Sequence, residues 1–354
     1  MKPTKAVREM TPYSPPTSSR RGKLRLDFNE NSIGCSPKVV EALRKVSAED
    51  LSAYPEYGKF REIIAGYGGV KAGEIVPTNG SDEAINAIIT AYVERGQEII
   101  IPTPSFAMFY FYAQRQGAKI REVMYEKDFS FPTEGVLKAI GKKTGLVIIC
   151  NPNNPTGTGV ERDDIERVLE KARENEVAVI VDEAYFAYMK ESVIDLINKY
   201  NSLFVLRTFS KAFGLAGLRA GYVATNEENA SVLRKSISPY SVNMVAVIAV
   251  EAALSDLRYV RDYVKEVDRA REIMYIGLGK LGLGYMPTRA NFLMVKFGAG
   301  GKEVVSGLNE KGILVRDVSA YPMLKDYVRI GIGTVEQTKE LLNAIKEIYG
   351  KEGK

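Results

Sequence analysis

The chain has 354 residues, with 49 lysines and arginines against 44 aspartates and glutamates, a formal charge of +5, and no histidine. Without imidazole there is no Ser-His-Asp or Cys-His nucleophile system, no HExxH zinc site and no histidine general base, so proton transfer near neutral pH falls to Lys, Tyr, Cys or a carboxylate. Apolar residues at 45% and charged residues at 26% are the mixture of a globular chain, long enough for one large domain and a smaller companion.

The modest charge is spread through helical segments such as EKARENE and VKEVDRARE, which reads as a solvated surface and not as a nucleic-acid interface. No run approaches the ~18 apolar residues of a membrane span. The N-terminus, MKPTKAVREMTPYSPP, is basic and proline-rich without the apolar stretch of a secretory signal. Cys35 and Cys150 are the only cysteines. They suit neither a disulfide framework nor a metal site, and a reducing cytoplasm is expected.

In chain order, residues 1–35 carry Pro12, Pro15 and Pro16 and read as an arm, not a core element. Between about 75 and 225 the strand-like runs QEIIIP, AKIREVMY, TGLVIIC, VAVIVDEA, SLFVLRTF and RAGYVAT alternate with the helical stretches SDEAINAIITAYVER, ERDDIERVLEKARENE and NEENASVLRKSI. Continuous apolar strands separated by helices predict an α/β domain with a mostly parallel sheet between helical layers. From Asn243 to Leu281 the pattern is helical and charged. The runs NFLMVKF, GILVRDV and DYVRIGIG follow, interleaved with helices around 301–311 and 335–349. The expected division is an arm over 1–35 that contributes to the small domain and the dimer, a large domain over 36–245, and a connecting helix with a small α+β domain over 246–354. GLGKLG, which contains Gly277, Gly279 and Gly282, matches GxGxxG but follows a charged helical stretch instead of a strand, so it reads as a helix end and not a dinucleotide site.

Four segments end strand-like runs with polar groups, where ligands of such sheets bind. In TNGSDEA, Gly80 permits a tight turn and Ser81 reads as the N-cap. The Ser81 and Asp82 N–H groups would face an anion, although taken alone the segment reads as ordinary capping. In CNPNNPTG, prolines and asparagines turn the chain out of the sheet, and Asn154 offers an amide there or serves an ordinary turn. In VDEAY, Asp182 ends a buried strand, where its charge needs either a structural salt bridge or a cationic ligand such as a protonated ring nitrogen. In LRTFSKAFGLAGLRAGY, Lys211 sits among Phe209, Ala212, Phe213, Leu215 and Leu218. Desolvation there would leave the amine neutral, the form that attacks an aldehyde. Arg219 and Ser210 beside it can grip a phosphate.

The strings NPNNPTG, VDEAY and TFSKAFGLAGLRAGY, in this order, resemble fold-type I pyridoxal-phosphate aminotransferases, and more narrowly the histidinol-phosphate aminotransferase family. The likeness extends through TPY, LDFNEN, YPEYG, NGSDEAI and PTPSFAMF to ANFLMVKF, GILVRDVSAYP and YVRIGIGT. It implies a large domain with a mostly parallel seven-stranded sheet. It also implies pyridoxal 5′-phosphate held as a Schiff base on Lys211, with Asp182 on the ring nitrogen and Asn154 and Tyr185 on the ring oxygen. Phe106 would stack on the ring, where family members commonly have Tyr. Ser81, Asp82 through its backbone, Ser210 and Arg219 would hold the phosphate, with Tyr54 reaching in from the second subunit of a homodimer. Arg329 and Arg316 would take the substrate's acidic group, Tyr13 would close over it, and Asn243 matches a further segment of the substrate site. Asn154–Pro155 is expected to be cis.

The resemblance implies a ping-pong exchange between glutamate/2-oxoglutarate and imidazole-acetol phosphate/L-histidinol phosphate. Aromatic amino acids are the alternative substrates, followed by a threonine-phosphate decarboxylase-like activity. A non-catalytic regulator is disfavoured because too little chain precedes the fold for a helix-turn-helix.

Overall fold

The computed structural model describes residues 1–11 and 20–349. After a short strand β1 (Leu24–Arg25) come the strands of the main sheet: β2 (Ile75–Thr78), β3 (Glu98–Thr103), β4 (Lys119–Met124), β5 (Thr144–Cys150), β6 (Ala178–Asp182), β7 (Leu203–Thr208) and β8 (Gly221–Ala224). These seven lie in the order β2-β8-β7-β6-β5-β3-β4. All neighbours are parallel except that β8 runs against both β2 and β7.

Every residue of β5 and β6 is buried, because helices cover both faces of the sheet. Alternate side chains of β5 serve opposite cores. Val147 and Ile149 pack into one cluster, Leu146 and Ile148 into the other, as the period of two requires. The six expected runs coincide with β3 to β8. β2 has no counterpart among them, since Pro77 stands in mid-strand. It is tolerated because β2 is the sheet's edge, where a missing N–H breaks no ladder.

β8's reversal shapes the rim of the sheet. Its first residue, Gly221, lies beside Thr78 at the end of β2 and Thr208 at the end of β7. Asp182 at the end of β6 lies beside Leu206 and Cys150. Residues that leave β7 and residues that enter β8 therefore meet at one edge.

Helices Met244–Leu254 and Leu257–Lys280 lead to β9 (Gly284–Tyr285), β10 (Phe292–Lys296), β11 (Ile313–Leu314), β12 (Arg316–Asp317) and β13 (Tyr327–Gly331). Four of these form an antiparallel sheet in the order β12-β13-β10-β9. The run GILVRDV is thus divided: β11 pairs in parallel with β1, while β12 joins β13. Part of the expected arm is consequently core. Leu26, just past β1, is 3% exposed, and its carbonyl accepts from Gly331 N–H at 2.7 Å. The alternating stretch that carries this pairing is too short to stand out in a polar, proline-rich surrounding. Gly277 and Gly279 lie inside the helix Leu257–Lys280 and only Gly282 follows its end. A Cβ on Gly277 would come within 2.4 Å of Leu342, so that glycine allows two helices to approach closely. Among the described residues no helix is long and apolar enough to cross a membrane.

Candidate active site

Lys211 follows β7, and its amine donates to the Phe28 carbonyl at 2.9 Å. Burial, followed by the nearby guanidinium of Arg329, pushes its pKa down to about 8, so neutral amine is plentiful in mildly alkaline solution. Asp182 is 2% exposed, and its carboxylate accepts one hydrogen bond, from Ala184 N–H at 3.0 Å. Burial is the chief cause that pushes it up to about 7, with Asp82 and Glu183 adding repulsion and Lys211 opposing them. A carboxylate kept near neutrality by lost hydration is one that a cationic N–H would ionise.

Tyr185 lies beneath Lys211, whose amine stands 5.6 Å from the ring centre. Its hydroxyl accepts from Asn29 Nδ2 at 3.0 Å, and burial holds the phenol well above its ordinary pKa. Asn154 presents its Oδ1 to Arg329 Nη1, and Arg329 Nη2 donates to the Asp27 carbonyl. The neighbouring asparagines serve the loop instead. Asn151 exchanges hydrogen bonds with the Val160 backbone, and Asn153 bonds Ser105 and the Pro104 carbonyl. Asn154–Pro155 is cis, as expected, and so are Asn151–Pro152 and Thr103–Pro104.

The anion-facing end is built at the start of the helix Gly80–Tyr92. Asn79, not Ser81, stands at the N-cap, with no side-chain cap hydrogen bond, and Gly80 turns the chain into the helix at φ +74°. Ser81 lies in the first turn, so its N–H and that of Asp82 are among those a helix leaves without internal partners. Arg219, itself at φ +54°, directs Nη2 to Asp82 Oδ2 at 3.0 Å and Nη1 to Ser210 Oγ at 3.4 Å. Ser210 is further tied to Thr208 Oγ1 at 3.0 Å. The Asp82 carboxylate occupies the guanidinium, which the sequence assigned to a phosphate. A Cβ on Gly80 would fall 2.6 Å from Arg219 Nη2, so the cradle depends on a glycine. These residues fit a phosphorylated ring aldehyde: an amine, an acid for a ring cation, two donors for a ring oxygen, and a positive helix start for the phosphate.

Other expected residues stand as follows. Phe106 is the N-cap residue of the helix Ala107–Gln116 and packs edge-on against Phe109. Arg316 lies directly opposite Arg329 in the β12–β13 ladder, so both side chains share one face. Tyr54 lies apart from the cluster, 73% exposed and stacked on Tyr240 at 4.2 Å. Asn243 caps the helix Met244–Leu254, accepting from Ala246 N–H at 2.9 Å. Tyr13 is outside the described residues.

Two features have no counterpart in the sequence reading. The first is the segment Asp27–Asn31, which meets Lys211, Tyr185, Arg329 and the Ala212 carbonyl. LDFNEN was visible, but contacts 156 to 302 residues away along the chain leave no local signature. The second is a buried ion pair beneath the site. Arg207 Nε donates to Glu183 Oε2 at 2.9 Å, Nη2 donates to Ser192 Oγ at 2.7 Å, and the guanidinium carbon lies 3.7 Å from the Phe186 ring centre.

Comparison with known proteins follows the same lines. The family described as aminotransferase class I and II matches residues 21–345. "Histidinol-phosphate aminotransferase 2" of Carboxydothermus hydrogenoformans is 36% identical, over 97% of this chain and 98% of its own length. "Histidinol-phosphate aminotransferase" of a Thermoanaerobacter species is 36% identical over 92% and 93%. Among solved structures, the histidinol-phosphate aminotransferase of Sinorhizobium meliloti in complex with pyridoxal-5′-phosphate superposes with a TM-score of 0.88 at 25% identity, covering 99% of this chain and 98% of that one.

Proposed function

This chain belongs to the class I and II aminotransferases, and from that premise we propose that it moves an amino group between L-histidinol phosphate and 2-oxoglutarate, yielding imidazole-acetol phosphate and glutamate, by a ping-pong cycle that runs in either direction. The cofactor is pyridoxal 5′-phosphate. The reading rests on one observation above all: a lysine amine pushed down to about 8 shares a sheet rim with a buried carboxylate and a buried phenol.

When bound, the cofactor supplies an aldehyde carbon for amino transfer and a cationic ring that draws the electron pair left at the substrate Cα. Lys211 Nζ would anchor it, then take the proton from the substrate Cα and deliver it to the cofactor's former aldehyde carbon. Asp182 keeps a negative charge against the ring nitrogen. Asn154 and Tyr185 hold the ring oxygen, and Phe106 covers the ring face through its apolar surface alone. Ser81, Ser210, Arg219 and the backbone of Asp82 hold the phosphate. Gly80→Ala is expected to weaken cofactor binding roughly tenfold, since the new methyl displaces Arg219 and a positive φ strains alanine. Titration of cofactor into the apoprotein measures this directly.

Arg329 and Arg316 take the acidic group of the substrate, with Tyr13 and Asn243 completing its surroundings. Two guanidiniums on one face suit a dianionic phosphate better than a single carboxylate. A second copy of the chain contributes Tyr54, and the exposed Tyr54–Tyr240 stack is apolar surface that such a copy would cover. The free cysteines, Cys35 and Cys150, suit a reducing cytoplasm.

Steady-state comparison of histidinol phosphate, tyrosine, phenylalanine and threonine phosphate as donors to 2-oxoglutarate tests the substrate. Histidinol phosphate should have the highest specificity constant. If tyrosine or phenylalanine exceeds it a hundredfold, the substrate reading fails while the aminotransferase reading stands.

A further inference from the structure

Asn29 is 2% exposed and holds φ +57°, the left-handed conformation that asparagine tolerates better than other side-chain-bearing residues. Its neighbours on either side are already committed. The Phe28 carbonyl accepts from Lys211, the Asp27 carbonyl accepts from Arg329, and Asn31 donates to the Ala212 carbonyl at 2.9 Å. Asn29's own carbonyl accepts from Asn291 Nδ2 at 3.2 Å. The backbone is thus pinned on both sides of a residue in a sparsely populated conformation, a pattern that concentrates where orientation matters.

The side chain makes one hydrogen bond, from Nδ2 to the Tyr185 hydroxyl oxygen, while Oδ1 is buried without a partner among the described residues. A phenol has one proton to give and lone pairs to receive with. An N–H donated onto that oxygen fills an acceptor site and cannot take the phenol's proton. The groups facing the Tyr185 phenol are Arg329, Cys150 and Asp182, with Lys211 above the ring. Among the described residues it is the carboxamide of Asn29 that hydrogen-bonds the hydroxyl.

We propose that Asn29 is a positioning residue for the transamination: by donating to the Tyr185 oxygen it fixes that hydroxyl as a donor toward the ring oxygen of the cofactor. This rests on the role given to Tyr185 above. The orphaned Oδ1 is the cost of holding the amide in this orientation. Burial also keeps the phenol protonated through the working pH range, so the proton to be directed is present.

A donor on the ring oxygen stabilises its anionic form and so lowers the pH at which the cofactor's lysine linkage loses its proton. The readout is the pH titration of the visible absorption band of the cofactor-loaded enzyme, without substrate. Three variants are compared with the parent: Asn29→Gly, which keeps the backbone angle without strain, Asn29→Asp, which keeps the shape but when ionised can only accept, and Tyr185→Phe. Each should raise the midpoint, Tyr185→Phe and Asn29→Asp by about one pH unit, the size of one hydrogen bond to a charged group. On a Tyr185→Phe background, Asn29→Gly should add nothing, because its route of action is gone. Equal shifts from Asn29→Gly on both backgrounds, or none on the parent, would overturn the proposal while leaving the Tyr185 role intact. A Tyr185→Phe enzyme with an unmoved midpoint would remove both. Should Asn29→Gly fail to fold, the Asn29→Asp pair of backgrounds decides by the same comparison.

Discussion

Lys211→Ala enzyme supplied with excess cofactor should turn over roughly a hundred- to ten-thousand-fold more slowly than the parent, the range that a positioned proton-transfer group contributes. The phosphate grip and ring contacts do not use Lys211, so the cofactor should still bind. The loss should therefore fall in kcat more than in KM, because the missing group acts on the proton at Cα and not on substrate binding. Single-turnover reaction with glutamate isolates that step. A loss under tenfold would remove Lys211 from its assigned role. The same amine sets a pH dependence. With its pKa pushed down to about 8, the reactive neutral fraction grows as pH rises toward that value and levels off above it. Capture of cofactor by the apoprotein should accelerate accordingly between pH 6 and 8 and then plateau, roughly tenfold per unit on the rising limb. An unperturbed lysine would keep accelerating to about pH 10.

Arg207→Ala should cost about 3–5 kcal/mol of folding stability, the penalty for removing one partner of a buried ion pair. Arg207 and Glu183 are 4% and 2% exposed. Removing the guanidinium leaves the carboxylate with Ser192 Oγ and the Val193 N–H but with no countercharge, and it also empties the space over Phe186. Urea unfolding of the cofactor-free protein, followed by circular dichroism, measures the loss. Removing both charges together, in Glu183→Gln/Arg207→Met, should recover part of it, because two apolar or neutral groups bury more cheaply than one lone ion. A single-variant loss below about 1 kcal/mol would mean that the pair is solvated in practice.

Sequence reasoning reached the residues that combine an unusual chemistry with an unambiguous place. Asp182 ends a wholly apolar strand, and Lys211 follows one amid aromatic and aliphatic neighbours, so burial and reactivity could be inferred together. Within one turn it named Asn154, which meets Arg329, while Asn151 and Asn153 stitch the loop. It took Ser81 for the cap, whereas the helix begins one residue earlier, after Asn79, which caps with no side-chain hydrogen bond. β2 escaped because a proline in mid-run argues against a strand unless it lies on an edge, which only the assembled sheet reveals. Asn29 and the Glu183–Arg207 pair depend on long-range contacts, for which one sequence carries no periodic or local trace.

The lone strand that runs against its neighbours has a practical corollary. Because β8 re-enters at the rim where β7 leaves, one uninterrupted peptide from Thr208 to Gly221 carries Ser210, Lys211 and Arg219, the hydroxyl, amine and guanidinium proposed above to hold the cofactor. Such a loop is a portable cassette: exchanged between relatives as a single piece, it would transplant anchor and phosphate clasp together while the strands beneath kept their pairing.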